Sequence, residues 1–301
     1  MLLGAAAAGV RAMTSTSSPG WALMQETMSH LSAAELPCVV VLVQRGGPGM
    51  GNTRHAQMDY LSVTRGGGQG GYKTIVLAPA TVQETHDLVQ LAFYLADKYR
   101  NPVVVLSDAV VGQMAEPLEV KTLEFGELPP KDWALRGKGQ REDKQRRLVS
   151  TMPGMHRLPP YGSYLSYLAH LDRKWEGIKN SEVRHKSYYI EDAELILIAY
   201  GYAARVSQEA VYMARAEGLK VGLLRPLTLW PFPYQEIEQR AMRGCRFLVV
   251  EDSLGLLVED VKLSVTKQSE VHLLGALARH APMDEGLLFP DRVCAEIRKL
   301  L

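Results

Sequence analysis

Pro37-Cys-Val-Val-Val-Leu-Val-Gln-Arg-Gly-Gly-Pro-Gly49 is the stretch from which the fold can be read. Cys38 to Val43 is continuously apolar and rich in β-branched side chains, which is the pattern of a strand buried on both faces; a strand with one wet face would alternate. The run ends at Arg45 and gives way to glycines. Downstream the theme repeats, with Thr74 to Leu77 predicted as a strand, Val82 to Tyr99 as a helix and Pro102 to Leu106 as another strand. Strands that alternate with helices point to parallel sheet covered on both sides. Upstream, Leu2 to Ala12 reads as a helix of small residues and Trp21 to Ala34 as an amphipathic one, with Thr14-Ser-Thr-Ser-Ser-Pro-Gly20 as a loop between them.

From about Glu116 to Asp192 regular periodicity is interrupted by Pro129-Pro130, the charged run Arg136 to Arg147 and Pro159-Pro160-Tyr-Gly162. This reads as an ordered crossover with one amphipathic helix near Tyr164 to Glu176. A second βαβαβ module follows, with strands at Leu195 to Tyr200, Val221 to Leu224 and Phe247 to Glu251 and helices near Val206 to Glu217, Tyr234 to Arg243 and Leu254 to Val265. The expected fold class is α/β with two parallel-sheet domains, at residues 1–118 and 193–301, joined by a crossover at 119–192.

The 301 residues are 47% apolar with a formal charge of +1, so nothing favours nucleic acid or an anionic membrane as the main partner. No apolar run has the length of a spanning helix, and Met1 to Val10 lacks the basic start of a secretory signal, which points to the cytoplasm. Cys38, Cys245 and Cys294 form no C-x-x-C pair and read as reduced thiols. The eight histidines show no ligand spacing, so a metal held by this chain alone is not expected.

Ligands of open α/β sheets bind beyond the carboxyl ends of the strands. Gln44-Arg-Gly-Gly-Pro-Gly-Met-Gly-Asn52 occupies that place after the first apolar strand. Gly46 and Gly47 let the backbone turn and approach a ligand, and Arg45 offers a fork able to grip a carboxylate through two bonds. The same residues also suit a plain turn with a structural ion pair. It is no phosphate loop, since no Gly-Lys-Ser/Thr follows. Thr14, Ser15, Thr16, Ser17 and Ser18 either cap the next helix or offer donors to an anion. Gly66-Gly-Gly-Gln-Gly-Gly71 either lines a cleft or links elements. Gly201-Tyr-Ala-Ala lacks two of the glycines of a dinucleotide turn and reads as a packing turn. Arg225-Pro-Leu-Thr-Leu-Trp-Pro-Phe-Pro233 suits an interface or an internal core equally.

Taken in order, Ala12 to Glu26, Val43-Gln-Arg-Gly-Gly-Pro-Gly49, Gln57-Met-Asp-Tyr60, Gly66 to Gly70, Ile75 to Ala80, Asp97-Lys-Tyr-Arg-Asn-Pro-Val103, Gly112 to Pro117 and Arg225 to Pro233 resemble the transketolase-like subunit of thiamine-diphosphate-dependent 2-oxoacid:ferredoxin oxidoreductases. The match covers nearly the whole chain, and the Gly66 and Arg100-Asn-Pro stretches look closest to the 3-methyl-2-oxobutanoate (2-oxoisovalerate) members. The resemblance implies a pyrimidine-type thiamine fold followed by a transketolase C-terminal-like domain. It implies coenzyme A-dependent oxidative decarboxylation of a branched-chain 2-oxoacid, with 2-oxoglutarate or pyruvate as alternative substrates. It further implies that Arg45 grips the substrate carboxylate, with the Thr14 to Ser18 segment, Gly46 and Gly47 beside the cleft.

In the family, thiamine diphosphate and Mg2+ are shared with a partner subunit whose Gly-Asp-Gly motif has no counterpart here. Iron-sulfur clusters lie on other subunits, so the implied partners are a thiamine-diphosphate-binding subunit, a gamma subunit, a ferredoxin-like iron-sulfur subunit and ferredoxin. Family members begin with a further strand, a Tyr-Pro-Ile-Thr-Pro turn and a glutamate that activates thiamine. The chain starts at the helix after them, and neither Glu26 nor Glu35 takes that glutamate's place, so no catalytic residue is assigned. The implication is a chain inactive by itself and prone to aggregate along an unpaired sheet edge, or a noncatalytic subunit that pads the complex. Glu251-Asp-Ser-Leu-Gly-Leu-Leu257 and Leu274-Gly-Ala-Leu-Ala278 depart from the family pattern.

Overall fold

The computed structural model describes residues 1–137, 149–153, 161–276 and 287–301. The charged run from position 138 to Arg147, Pro159-Pro160 and the end of the Leu274 segment at 277–278 lie outside the described residues. The first half of the chain runs α1 (Leu2–Ala7), β1 (Met13–Ser17), α2 (Ser18–Ala33), β2 (Cys38–Gln44), α3 (Tyr60–Thr64), β3 (Ile75–Leu77), α4 (Val82–Tyr99), β4 (Pro102–Asp108) and α5 (Ala109–Gln113). The second runs α6 (Tyr164–Ser181), β5 (His185–Tyr188), β6 (Leu195–Ile198), α7 (Gly201–Ala216), β7 (Val221–Pro226), β8 (Thr228–Trp230), α8 (Tyr234–Met242), β9 (Arg246–Val250), α9 (Leu257–Leu263), β10 (Val271–Leu274) and α10 (Pro290–Leu300).

The first sheet has strand order β1-β2-β4-β3-β8 and the second β10-β9-β6-β7-β5. At the centre of the first, β2 and β4 pair in parallel from Cys38 opposite Pro102 to Gln44 opposite Asp108. Val39, Val40, Leu42 and Val103 to Leu106 are fully buried. Each such side chain contributes about 1.5–3 kcal/mol by leaving water, which is why the unbroken apolar runs take the centre of the sheet. The helix over Val82 to Tyr99 forms with the ends the sequence predicts. Thr81 Oγ1 caps it by accepting from Glu84 N at 3.1 Å, and Arg100 closes it in the left-handed region at φ 48°.

Both sheets are mixed rather than wholly parallel, which corrects the expectation. β5 pairs antiparallel with β7, and β8 pairs antiparallel with β3. The chain leaves the second sheet at Pro226 and enters the first at Thr228, so the Arg225 to Pro233 segment is the junction itself, with Trp230 and Phe232 buried in it. Both antiparallel strands are edge strands, which need hydrogen bonds on one side only and carry no long apolar run.

The Thr14 to Gly20 loop is likewise corrected. Met13–Ser17 is an edge strand in parallel register with β2, from Met13 opposite Val39 to Ser17 opposite Val43. Its residues alternate between exposed and half-buried, and threonine tolerates an extended edge without an apolar pattern. Ser18, Pro19 and Gly20 lie beyond the strand, as the first three residues of α2. The helix from Leu2 stops at Ala7, short of Ala12.

Polar ties cross between the two sheets' halves. Fully buried Asp260 of α9 accepts from the hydroxyls of Tyr60, at 2.7 Å, and Tyr234, and from Arg65 Nη2 at 2.5 Å. Glu84 of α4 pairs with buried Arg225 of β7 and with Lys186 of β5, at 2.8 Å for the lysine. The Gly66 to Gly71 run packs on α2, where Ser29 Oγ donates to Gln69 O at 3.0 Å.

Candidate active site

β1, β2, β3 and β4 all point one way, so their carboxyl ends form a single edge, and Ser18, Arg45 and Asp108 gather there. Arg45 N–H donates to Ser18 Oγ at 2.9 Å, and the Ser18 hydroxyl donates in turn to the Asp59 carboxylate. Burial pushes the Asp59 carboxyl above its ordinary range, opposed by the Ser18 hydrogen bond and the Arg45 charge. The first turn of α2 and the start of the glycine loop are thus stitched together.

Beyond Arg45 the chain folds back on itself. Gly46 and Asn52 form an antiparallel bridge, with Asn52 N–H donating to Gly46 O at 2.9 Å. Gly51 sits at φ 57°, and a Cβ there would stand 1.7 Å from Gly46 O, so only glycine closes this loop. The Arg45 guanidinium donates through Nη1 to Met50 O at 2.7 Å. Among the described residues it makes no ion pair, so the structural-ion-pair reading of Arg45 does not hold there. The fork keeps further donors for a ligand carboxylate, and Met50, at the tip, is 76% exposed.

A set of residues to which the sequence reading gave no role surrounds this loop. Fully buried Gln44 ends β2; its Oε1 accepts from Tyr200 OH at 3.4 Å, and its Nε2 has no hydrogen-bond partner among the described residues. Asp108, fully buried opposite Gln44, accepts from Val111 N and Tyr202 N, each at 2.9 Å. Burial pushes its carboxyl up to about 6, with the nearby Asp252 charge adding to the shift and the backbone hydrogen bonds opposing it. Gln57 and His55 reach Asp252 in the second half of the chain. Apart from the local cap between Asp108 and Val111, no local pattern flags these contacts: Tyr202 lies more than ninety positions from Asp108, and Asp252 nearly two hundred from Gln57. Gly201, read as a packing turn, opens α7 at this junction with φ 59°.

Glu35, in contrast, lies between α2 and β2 at the amino end of the sheet. Its carboxylate accepts from Tyr161, from His170 Nε2 at 2.8 Å and from Lys174 Nζ at 3.0 Å. Burial opposes its charge, but these partners prevail and hold it well below the usual carboxylate range. Glu26 is a largely exposed side chain of α2.

Residues 1–187 match the family described as pyruvate flavodoxin/ferredoxin oxidoreductase, thiamine diP-binding, and residues 193–284 match pyruvate:ferredoxin oxidoreductase core domain II. The chain belongs to the 2-oxoacid:ferredoxin oxidoreductase family. Within it, the chain is 48% identical to the ketoisovalerate oxidoreductase subunit VorB of Methanothermobacter marburgensis over 88% of this chain and 73% of that protein. It is 32% identical to the 2-oxoglutarate synthase subunit KorA of Methanothermobacter thermautotrophicus over 95% of this chain and 81% of that one. A solved 2-oxoglutarate:ferredoxin oxidoreductase from Magnetococcus marinus, with 2-oxoglutarate, coenzyme A and succinyl-CoA bound, superposes with a TM-score of 0.82 at 26% identity. That match covers 99% of this chain, which spans 54% of the solved oxidoreductase chain. The α/β architecture and the oxidoreductase membership expected from the sequence therefore stand. Among the described residues, no helix is long and apolar enough to cross a membrane.

Proposed function

We propose that this oxidoreductase subunit supplies the substrate arginine and the pyrimidine-side wall of a thiamine diphosphate site shared with a partner subunit. The reaction is oxidative decarboxylation of 3-methyl-2-oxobutanoate: the 2-oxoacid and coenzyme A become acyl-CoA and carbon dioxide, and two electrons leave for ferredoxin with release of a proton. The observation that carries this reading is Arg45 at the carboxyl edge of the sheet, whose guanidinium donates to Met50 O and makes no ion pair among the described residues.

The residues present fit one side of the cofactor. Gln44 Nε2 is a buried donor with no partner among the described residues, which suits the polar edge of a heterocycle. Among the described residues no group of three or more metal-ligating side chains occurs, so the reading assigns Mg2+ and the diphosphate to the partner subunit. Thiamine diphosphate, when bound, supplies the carbon nucleophile for the ketone and the electron sink for decarboxylation. This chain's own part is positional. Arg45 binds the substrate carboxylate through its planar fork, and Ser18 and Asp59 hold the backbone from which that fork extends. The gamma subunit, the iron-sulfur subunit, the clusters and a cytoplasmic setting belong to the same proposal. So do the division into domains at 1–118, 119–192 and 193–301 and the placing of Gly46, Gly47 and the Thr14 to Ser18 segment beside the cleft.

The branched-chain assignment is supported by 48% identity to the ketoisovalerate subunit against 32% to the 2-oxoglutarate subunit. The test is viologen-dye reduction by this chain co-produced with its partner subunits on 3-methyl-2-oxobutanoate, 2-oxoglutarate and pyruvate, with coenzyme A present. The highest kcat/KM on 3-methyl-2-oxobutanoate is expected. Preference for 2-oxoglutarate or pyruvate would keep the reaction and replace the substrate, and no reduction with any of them would favour a noncatalytic subunit.

A further inference from the structure

The loop that carries Arg45 is anchored at its far end to the other half of the molecule. Gln57 is fully buried and spends its polar groups across the junction. Its backbone N–H donates to Asp252 O at 2.7 Å, its Oε1 accepts from Asp252 N at 3.0 Å, and its Nε2 donates to Tyr200 O at 2.9 Å. Two residues earlier, His55 Nδ1 lies 2.5 Å from Asp252 Oδ2, the same oxygen that accepts the Tyr202 hydroxyl. Asp252 is 4% exposed and the His55 side chain 14%, so water competes weakly for these bonds.

The segment from Arg45 to Gln57 is therefore fixed at three points: at its start by Ser18, in its middle by the Gly46 to Asn52 bridge, and at its end by Asp252. Only the last lies in the second half of the chain, two residues after the end of β9. We propose that Asp252, acting through His55, is a positioning residue for Arg45, so that the second half of the molecule sets where the substrate carboxylate is held. The proposal rests on the reading of Arg45 given above. Asp252 touches no substrate in it; the effect travels through the loop. A displacement of a binding group on the scale of an ångström is enough to cost a large part of the rate, which gives the anchor its leverage.

The test uses the assembled complex and compares His55→Ala, His55→Asn, Arg45→Ala and the His55→Ala/Arg45→Ala double variant in dye reduction with 3-methyl-2-oxobutanoate. His55→Ala should raise KM about tenfold with kcat changed far less, since it removes the tie between His55 and the Asp252 carboxylate, leaves the Gln57 bonds in place and touches no reacting group. His55→Asn keeps an amide donor close to the position of Nδ1 and should restore most of the loss. In the Arg45→Ala background, His55→Ala should cost nothing further, a non-additivity that plain destabilisation would not produce. Additive losses, or failure of the asparagine to rescue, would overturn the proposal while leaving the role of Arg45 intact. If Arg45→Ala itself leaves KM unchanged, the reading of Arg45 fails first. Thermal unfolding of each variant separates these outcomes from loss of folded protein, and Tyr202→Phe, which removes another donor to the same Asp252 oxygen, supplies a second variant with the same expected KM direction.

Discussion

Asp108, the last residue of β4, accepts the backbone N–H of Tyr202 at 2.9 Å, so the first sheet caps the opening helix of the second. The other carboxylate oxygen caps α5 through Val111 N at 2.9 Å. One side chain thereby satisfies two helix starts that lie in different halves of the chain, at the edge where Arg45 also stands.

Because burial raises the Asp108 carboxyl from 3.8 to about 6, its ionisation opposes folding. Its stability contribution is complete below the unfolded value near 4, is lost as pH rises through about 6, and is flat above that. The loss is on the order of 3 kcal/mol. Urea unfolding between pH 4 and pH 7 should show this fall in the wild-type chain and a flatter profile in Asp108→Asn. Parallel profiles for the two would refute the assignment.

Gly201 sits directly over this cap, and a Cβ there would come 2.4 Å from Asp108 Oδ2 and 2.8 Å from Gln57 Nε2. Gly201→Ala should therefore cost at least about 2 kcal/mol, from the left-handed φ together with the clash. Gly177 of α6 is the control, since a Cβ there meets nothing within 4 Å. Gly177→Ala should stabilise by up to about 1 kcal/mol. Denaturation midpoints that move in the same direction for both would contradict the geometry.

Asp260 should behave as the hub of its cluster. Asp260→Ala leaves buried Tyr60, half-buried Tyr234 and the exposed Arg65 without their shared acceptor, for a loss of about 2–4 kcal/mol that comes chiefly from the two hydroxyls. Tyr60→Phe removes one donor and should cost about 1–2 kcal/mol. Equal costs in chemical denaturation would mean that the three bonds are not held in common.

The parts of the fold that sequence revealed are those dominated by local pattern. Cys38 to Val43 and Pro102 to Leu106 are apolar on both faces because they lie at the centre of a sheet, and Val82 to Tyr99 carries a cap, an apolar stripe and a stop. The edge strands β1, β5 and β8 escaped because half their hydrogen-bonding groups need no partner, so Thr14 to Ser17 reads as a loop. Arg45 was visible from its place after a buried strand. Its supports were not: Asp59 acquires its role on meeting Ser18, 41 positions away, Gln57 and Asp252 meet across 195 positions, and Asp108, beside its local cap of α5, reaches Tyr202 across 94.

The central claim is that Arg45 holds the substrate carboxylate, and the most direct measurement is steady-state dye reduction by the assembled complex carrying Arg45→Ala, with and without added guanidinium. Loss of the fork should lower kcat/KM for 3-methyl-2-oxobutanoate by about 100-fold or more, mostly through KM, and millimolar guanidinium should recover part of it. An Arg45→Ala complex that keeps the wild-type kcat/KM would contradict the account.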